Sequence, residues 1–134
     1  MKVIMLSGPV SSGKTTTINM VYDELIKTAK PIIQRPVSEK IKDFEAVVDY
    51  KNARGVRQKV ALASMGDYSI EVIHYMSFYE GMGCEVLICA CRDYFSNPFR
   101  RLNKRYKETH KIIKKNAPTD DDNKKAMCKI IAHI

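Results

Sequence analysis

The chain reads as a single α/β domain over residues 1–134, a three-layer sandwich with a mostly parallel sheet and helices on both faces. Three observations predict it. Lys2–Leu6 is a short apolar run with β-branched residues, and a Gly/Ser-rich turn follows over Ser7–Thr15. From Thr16 the apolar residues Ile18, Val21, Tyr22, Leu25, Ile26 and Ala29 recur at three- and four-residue spacing. Strand, tight turn and helix in direct succession open an α/β unit, and strand-like and helix-like runs go on alternating to the end of the chain.

The first helix is expected to stop at Pro31, which cannot continue it. A short strand near Ile32–Gln34 and a loop through residue 43 follow. Phe44–Tyr50 and Gln58–Ala63 flank Lys51-Asn52-Ala53-Arg54-Gly55, a turn composition that predicts an antiparallel hairpin. Tyr68–Tyr79 reads as a second helix ending at Gly81 or Gly83. Val86–Cys91 is continuously apolar, as in a strand buried on both faces. After Pro98, the stripe Phe99, Leu102, Tyr106 and Ile113 predicts one basic helix running to just before Pro118. Thr119, followed by Asp120, Asp121 and Asp122, has the form of an N-cap and acidic first turn for a last helix, Asn123–Ile134.

Composition narrows the function classes. At 45% hydrophobic and 28% charged, the 134 residues have enough apolar surface to bury a core. No apolar run reaches the roughly 18–20 residues of a membrane helix, and the chain opens without a signal-peptide pattern, so a cytoplasmic protein with no membrane contact is expected. Cys84, Cys89, Cys91 and Cys128 are too few for a disulfide scaffold and read as reduced thiols, Cys89 and Cys91 as a core pair. The net charge of +8 is localised. Residues 1–91 carry 11 basic residues against 10 acidic ones, residues 116–134 three against three, and Arg92–Lys115 nine against two.

Gly8-Pro9-Val10-Ser11-Ser12-Gly13-Lys14-Thr15 matches G-x-x-x-x-G-K-[ST] in full, between a predicted strand and a predicted helix. Glycines at both ends let the backbone curl so that successive N–H groups converge on an anion, and the helix N-terminus adds partial positive charge. With this motif in this setting, residues 2–30 resemble the P-loop NTPase superfamily. The resemblance implies a nucleoside triphosphate, ATP with GTP as the alternative, cradled by residues 8–16 from Gly8 to Thr16. Lys14 would reach the β- and γ-phosphates from a solvent-filled loop outside the core, and the Thr15 hydroxyl would ligate Mg²⁺.

Such proteins also need a carboxylate at the end of a neighbouring strand. Asp67, after the run Val60–Gly66, is the candidate, as metal ligand or base and also as a helix cap; Asp93 is the alternative. The basic segment Arg92–Lys115 allows three readings: an arginine lid over the phosphates, a nucleic-acid surface, or a solvated helix face. Arg92, at a strand's carboxyl end, and Arg101 are the lid candidates, hence candidate catalytic residues beside Lys14 and Asp67. The Asn/Thr-Lys-x-Asp run of guanine-specific GTPases is absent. The expected activity is γ-phosphoryl transfer to a small acceptor, kinase-like. The alternatives are an NTP-hydrolysing switch or ATPase and a nucleic-acid-binding accessory protein with a bound nucleotide.

Overall fold

The computed structural model describes residues 1–38 and 41–134. Among these, six strands form one mixed sheet: β1 (Lys2–Gly8), β2 (Lys30–Ser38), β3 (Ile41–Lys51), β4 (Arg57–Ala63), β5 (Val86–Arg92) and β6 (His110–Lys114). Their order across the sheet is β2-β3-β4-β5-β1-β6. The helices are α1 (Lys14–Leu25), α2 (Ser69–Gly81), α3 (Ser96–Arg105) and α4 (Asp120–Ala132). β4, β5, β1 and β6 run parallel, whereas β3 is antiparallel to both β2 and β4. The expectation of a mostly parallel sheet therefore holds for four strands and fails at the β2–β3–β4 meander.

Alternation along β1 separates two cores. Ile4 and Leu6 pack with α1 and α4 through Ile18, Val21, Leu25, Ala126 and Ile130. Val3 and Met5 pack with α2 and α3 through Val72, Met76 and Leu102. Successive strand residues point to opposite sides, so β1 is buried on both. The predicted hairpin is present: Asn52 Oδ1 accepts from the N–H groups of Arg54 and Val56, each at 3.0 Å, and Gly55 takes the left-handed conformation that closes the turn.

Several boundaries differ from expectation. α1 ends at Leu25, and Pro31 lies within β2. Proline is tolerated there because β2 is an edge strand, and the β2–β3 register slips between Pro31 and Ile33 and again between Pro36 and Ser38. The loop expected up to residue 43 is strand on both sides of residues 39–40, which lie outside the described residues.

The long basic helix is the larger error. It stops at Arg105, and His110–Lys114 instead forms β6, parallel to β1. Ile112 packs on the α2–α3 core and Ile113 on the α1–α4 core. Neighbouring residues facing opposite sides satisfy a strand, not a helix. Among the described residues no helix is long and apolar enough to cross a membrane.

Candidate functional site

Parallel strands deliver their carboxyl ends to one edge of the sheet, and the antiparallel β3 brings its beginning to the same edge. There a cleft of about 500 Å³ is lined by the loop after β1, the first turn of α1, Asp43, Ser64, Asp67 and Arg92. Residues 10–16 all border it. The loop is curled: Ser11 and Gly13 have positive φ, 58° and 88°. A side chain on Gly13 would be strained by that φ, and its Cβ would lie 2.6 Å from Asn123 Oδ1. The first main-chain bond of α1 runs from Thr17 N–H to Gly13 O. The N–H groups ahead of it therefore find no carbonyl inside the helix.

Lys14 folds back along this loop. Its ammonium group donates to Gly8 O at 3.0 Å, Pro9 O at 2.6 Å and Ser12 Oγ at 3.4 Å. The residue is only 8% exposed, which corrects the expectation of a solvent-filled position. Burial lowers its pKa, with Asp67 pulling the other way. Among the described residues Lys14 makes no ion pair. A desolvated cation held only by neutral oxygens beside a cleft is a strong point of attraction for an anion.

A carboxylate bonded to the first turn of α1 is one the sequence did not single out. Asp43 Oδ1 accepts from Thr15 Oγ1 at 3.2 Å and from Ser64 Oγ at 3.0 Å, and Asp43 is buried. Ser64 Oγ also accepts from Phe44 N–H at 2.8 Å, which fixes the end of β4 against β3. The predicted hairpin carried the signal: continued past Phe44, its register sets Asp43 beside the Ser64 end of β4.

Asp67 and Arg92 meet across the cleft. Arg92 Nε and Nη2 both donate to Asp67 Oδ1, at 3.2 and 3.1 Å, and Nη1 donates to Tyr94 Oη at 2.7 Å. Asp67 Oδ2 has no hydrogen-bond partner among the described residues. Arg101 lies on α3 and does not line the cleft, and Asp93 borders a separate cavity of about 340 Å³ with Gly8 and Lys114. Pro9 closes the loop as the acceptor of Ser12 Oγ at 2.8 Å.

Gly66 shows how closely the strand ends approach. A Cβ there would sit 2.5 Å from the Ala90 carbonyl carbon and oxygen. Gly66→Ala is expected to destabilise the protein by about 3 kcal/mol, because backbone must shift to admit it. Urea unfolding measures it; an unchanged midpoint would mean that the two strand ends separate freely.

The donor set suits some ligands and not others. Among the described residues no three His, Cys, Asp or Glu side chains gather as a metal site. Cys89 and Cys91 are buried free thiols, with burial pushing the Cys91 pKa up to about 12. Thr15 and Asp43 offer a hydroxyl and a carboxylate, hard oxygens of the kind that hold Mg²⁺ together with substrate phosphates and water. No family model matches the chain, and no curated protein or solved structure matches it.

Proposed function

We propose that this protein binds a nucleoside triphosphate with Mg²⁺ in the cleft and transfers the γ-phosphoryl group to a small acceptor, as P-loop small-molecule and nucleotide kinases do. The observation that carries the proposal is Lys14: a buried ammonium group with no carboxylate partner among the described residues, beside a curled loop that leads into the N-terminus of α1. That combination favours a phosphate chain over a neutral ligand. The pairs α1–α4 and α2–α3, each packed on its own core, support a three-layer P-loop arrangement. A cytoplasmic setting, where nucleotide is plentiful, belongs to the same proposal.

In this reading the N–H groups of residues 10–15 and the Lys14 ammonium group hold the β- and γ-phosphates. Thr15 and Asp43 hold Mg²⁺, which when bound neutralises charge on the transferring group. Asp67 would use Oδ2 to orient the acceptor hydroxyl or take its proton, while Arg92, held on Oδ1, would supply positive charge to the γ-phosphate. Water as acceptor would make the protein an ATPase or switch. A nucleic-acid role is less favoured, because the basic segment is no continuous face. Arg92 is tied to Asp67, Arg105 to Glu80 at 3.0 Å, and Lys115 is fully buried.

Calorimetry with Mg·ATP and Mg·GTP, followed by radiolabelled ATP with pooled sugar, nucleoside and nucleotide acceptors, tests the proposal. Saturable binding and a labelled acceptor are expected. Label appearing only as inorganic phosphate selects the hydrolase, and no binding of either nucleotide overturns both. Arg92→Ala should lower turnover on the order of 100-fold, and Arg101→Ala by less than about twofold. Equal losses would instead make α3 a lid that closes over the nucleotide.

A further inference from the structure

Lys115, one of the nine basic residues between Arg92 and Lys115, has no exposed surface at all. It follows β6, and its main-chain N–H donates to Ser7 O at 2.7 Å, extending the pairing with β1 by one residue. Its ammonium group donates to Ser12 O at 2.9 Å, to Ala117 O, and to Asp122 Oδ2 at 2.8 Å. The first of these contacts crosses 103 positions in the chain to reach the middle of the curled loop.

Ser12 is thus gripped twice. Lys14 reaches its hydroxyl from the cleft side at 3.4 Å, and Lys115 takes its carbonyl from within the protein. A trans peptide sets the Ser12 carbonyl and the Gly13 N–H in opposite directions. Pinning the carbonyl onto Lys115 therefore turns the Gly13 N–H away from the buried ammonium group, and both Ser12 and Gly13 border the cleft. The neighbouring Asn123, also buried, accepts from Thr17 Oγ1 at 3.3 Å and would obstruct any side chain on Gly13. Asp122, the carboxylate partner of Lys115, sits in the first turn of α4 beside it.

We infer that Lys115 is a positioning residue of the phosphate loop: it fixes the Ser12–Gly13 peptide so that its N–H faces bound phosphate, and it adds fixed positive charge behind the loop. The inference rests on the phosphate-cradle reading above. Lys115 does not touch the ligand. It sets the orientation of a donor that does, and preorganised donors are worth most because no reorganisation is needed when the anion arrives.

Two measurements on Lys115→Met and Asp122→Asn separate this from a merely structural role. The first is nitrogen-15 relaxation of the unliganded protein, which reads backbone order directly. Lys115→Met should lower the order parameters at Ser12 and Gly13 while Leu6 and Ile88 in the sheet stay rigid. The second is calorimetry with Mg·ATP and with inorganic tripolyphosphate, well below the melting temperature. Lys115→Met should weaken both about tenfold or more. Asp122→Asn leaves the ammonium group on its two carbonyls, so a smaller loss in the same direction is expected. Lys115→Arg, which keeps the charge, should restore part of the affinity.

Unchanged loop order parameters and unchanged affinity in a folded Lys115→Met overturn the inference. If that variant does not fold, Asp122→Asn decides: wild-type order at Ser12 and Gly13 together with wild-type affinity overturns it. A wild-type protein that binds neither Mg·ATP nor tripolyphosphate defeats the phosphate-cradle reading instead. The relaxation measurement, made without ligand, still reports whether Lys115 holds the loop.

Discussion

Lys14→Met is expected to abolish useful triphosphate binding, with affinity for Mg·ATP falling by about 100-fold or more, while the fold stays as stable as wild type. Both halves have the same origin. The ammonium group is buried with no carboxylate partner among the described residues, so folding removes it from water for limited return. Methionine keeps the unbranched stem and removes that cost, although Gly8 O and Pro9 O lose a donor. A melting temperature equal to or above wild type, beside lost binding, is the expected pair of results. Equal affinity in both proteins would overturn the phosphate assignment. A large drop in melting temperature would mean that Lys14 serves chiefly to tie the loop to β1.

The second large effect is expected at Asp43. Asp43→Asn keeps size and one carbonyl-type acceptor for Thr15 and Ser64, yet removes the negative charge. Turnover should fall on the order of 100-fold, and the Mg²⁺ concentration for half-maximal rate should rise. Nucleotide affinity should change much less, since the proposed cradle draws its phosphate contacts from the loop and Lys14. The dependence of rate on Mg²⁺ distinguishes this from a structural role. If rate and Mg²⁺ requirement both stay at wild-type values, Asp43 only fastens β3 to α1, and Asp67 becomes the metal carboxylate.

What could be read in the sequence depended on how far apart the cooperating residues lie. β1, the loop and α1 are contiguous, and each carries its own local pattern, so the site's centre was legible from residues 2–30. The turn at Asn52–Gly55 was legible because Asn and Gly serve definite backbone geometries there. Asp43 was missed because its importance comes from antiparallel register, which folds the start of β3 back beside the end of β4. β6 was missed because only two apolar residues, Ile112 and Ile113, mark it among lysines, too few to break the helical spacing of Leu102 and Tyr106. Lys115 was read with the surface charges for the same reason: its burial is a property of β6 and α4 together. Asp67 and Arg92 were legible as candidates, but their pairing was not, since it joins the ends of different strands.

The placement of β1 between β5 and β6 has a temporal consequence. On the ribosome, residues 8–15 emerge long before the segments that hold them. Partners of the loop lie 103 positions away at Lys115, and Asn123 lies 106 positions beyond Thr17. Closing so long a connection is entropically slow, and its return arrives only once β6 and α4 have been made. A nascent chain released before residue 110 would carry the whole run Gly8–Thr15 without the strand and helix that shape it. The curled form of the loop should therefore appear as a late, abrupt step in synthesis, after β6 and α4 have docked on β1 and α1.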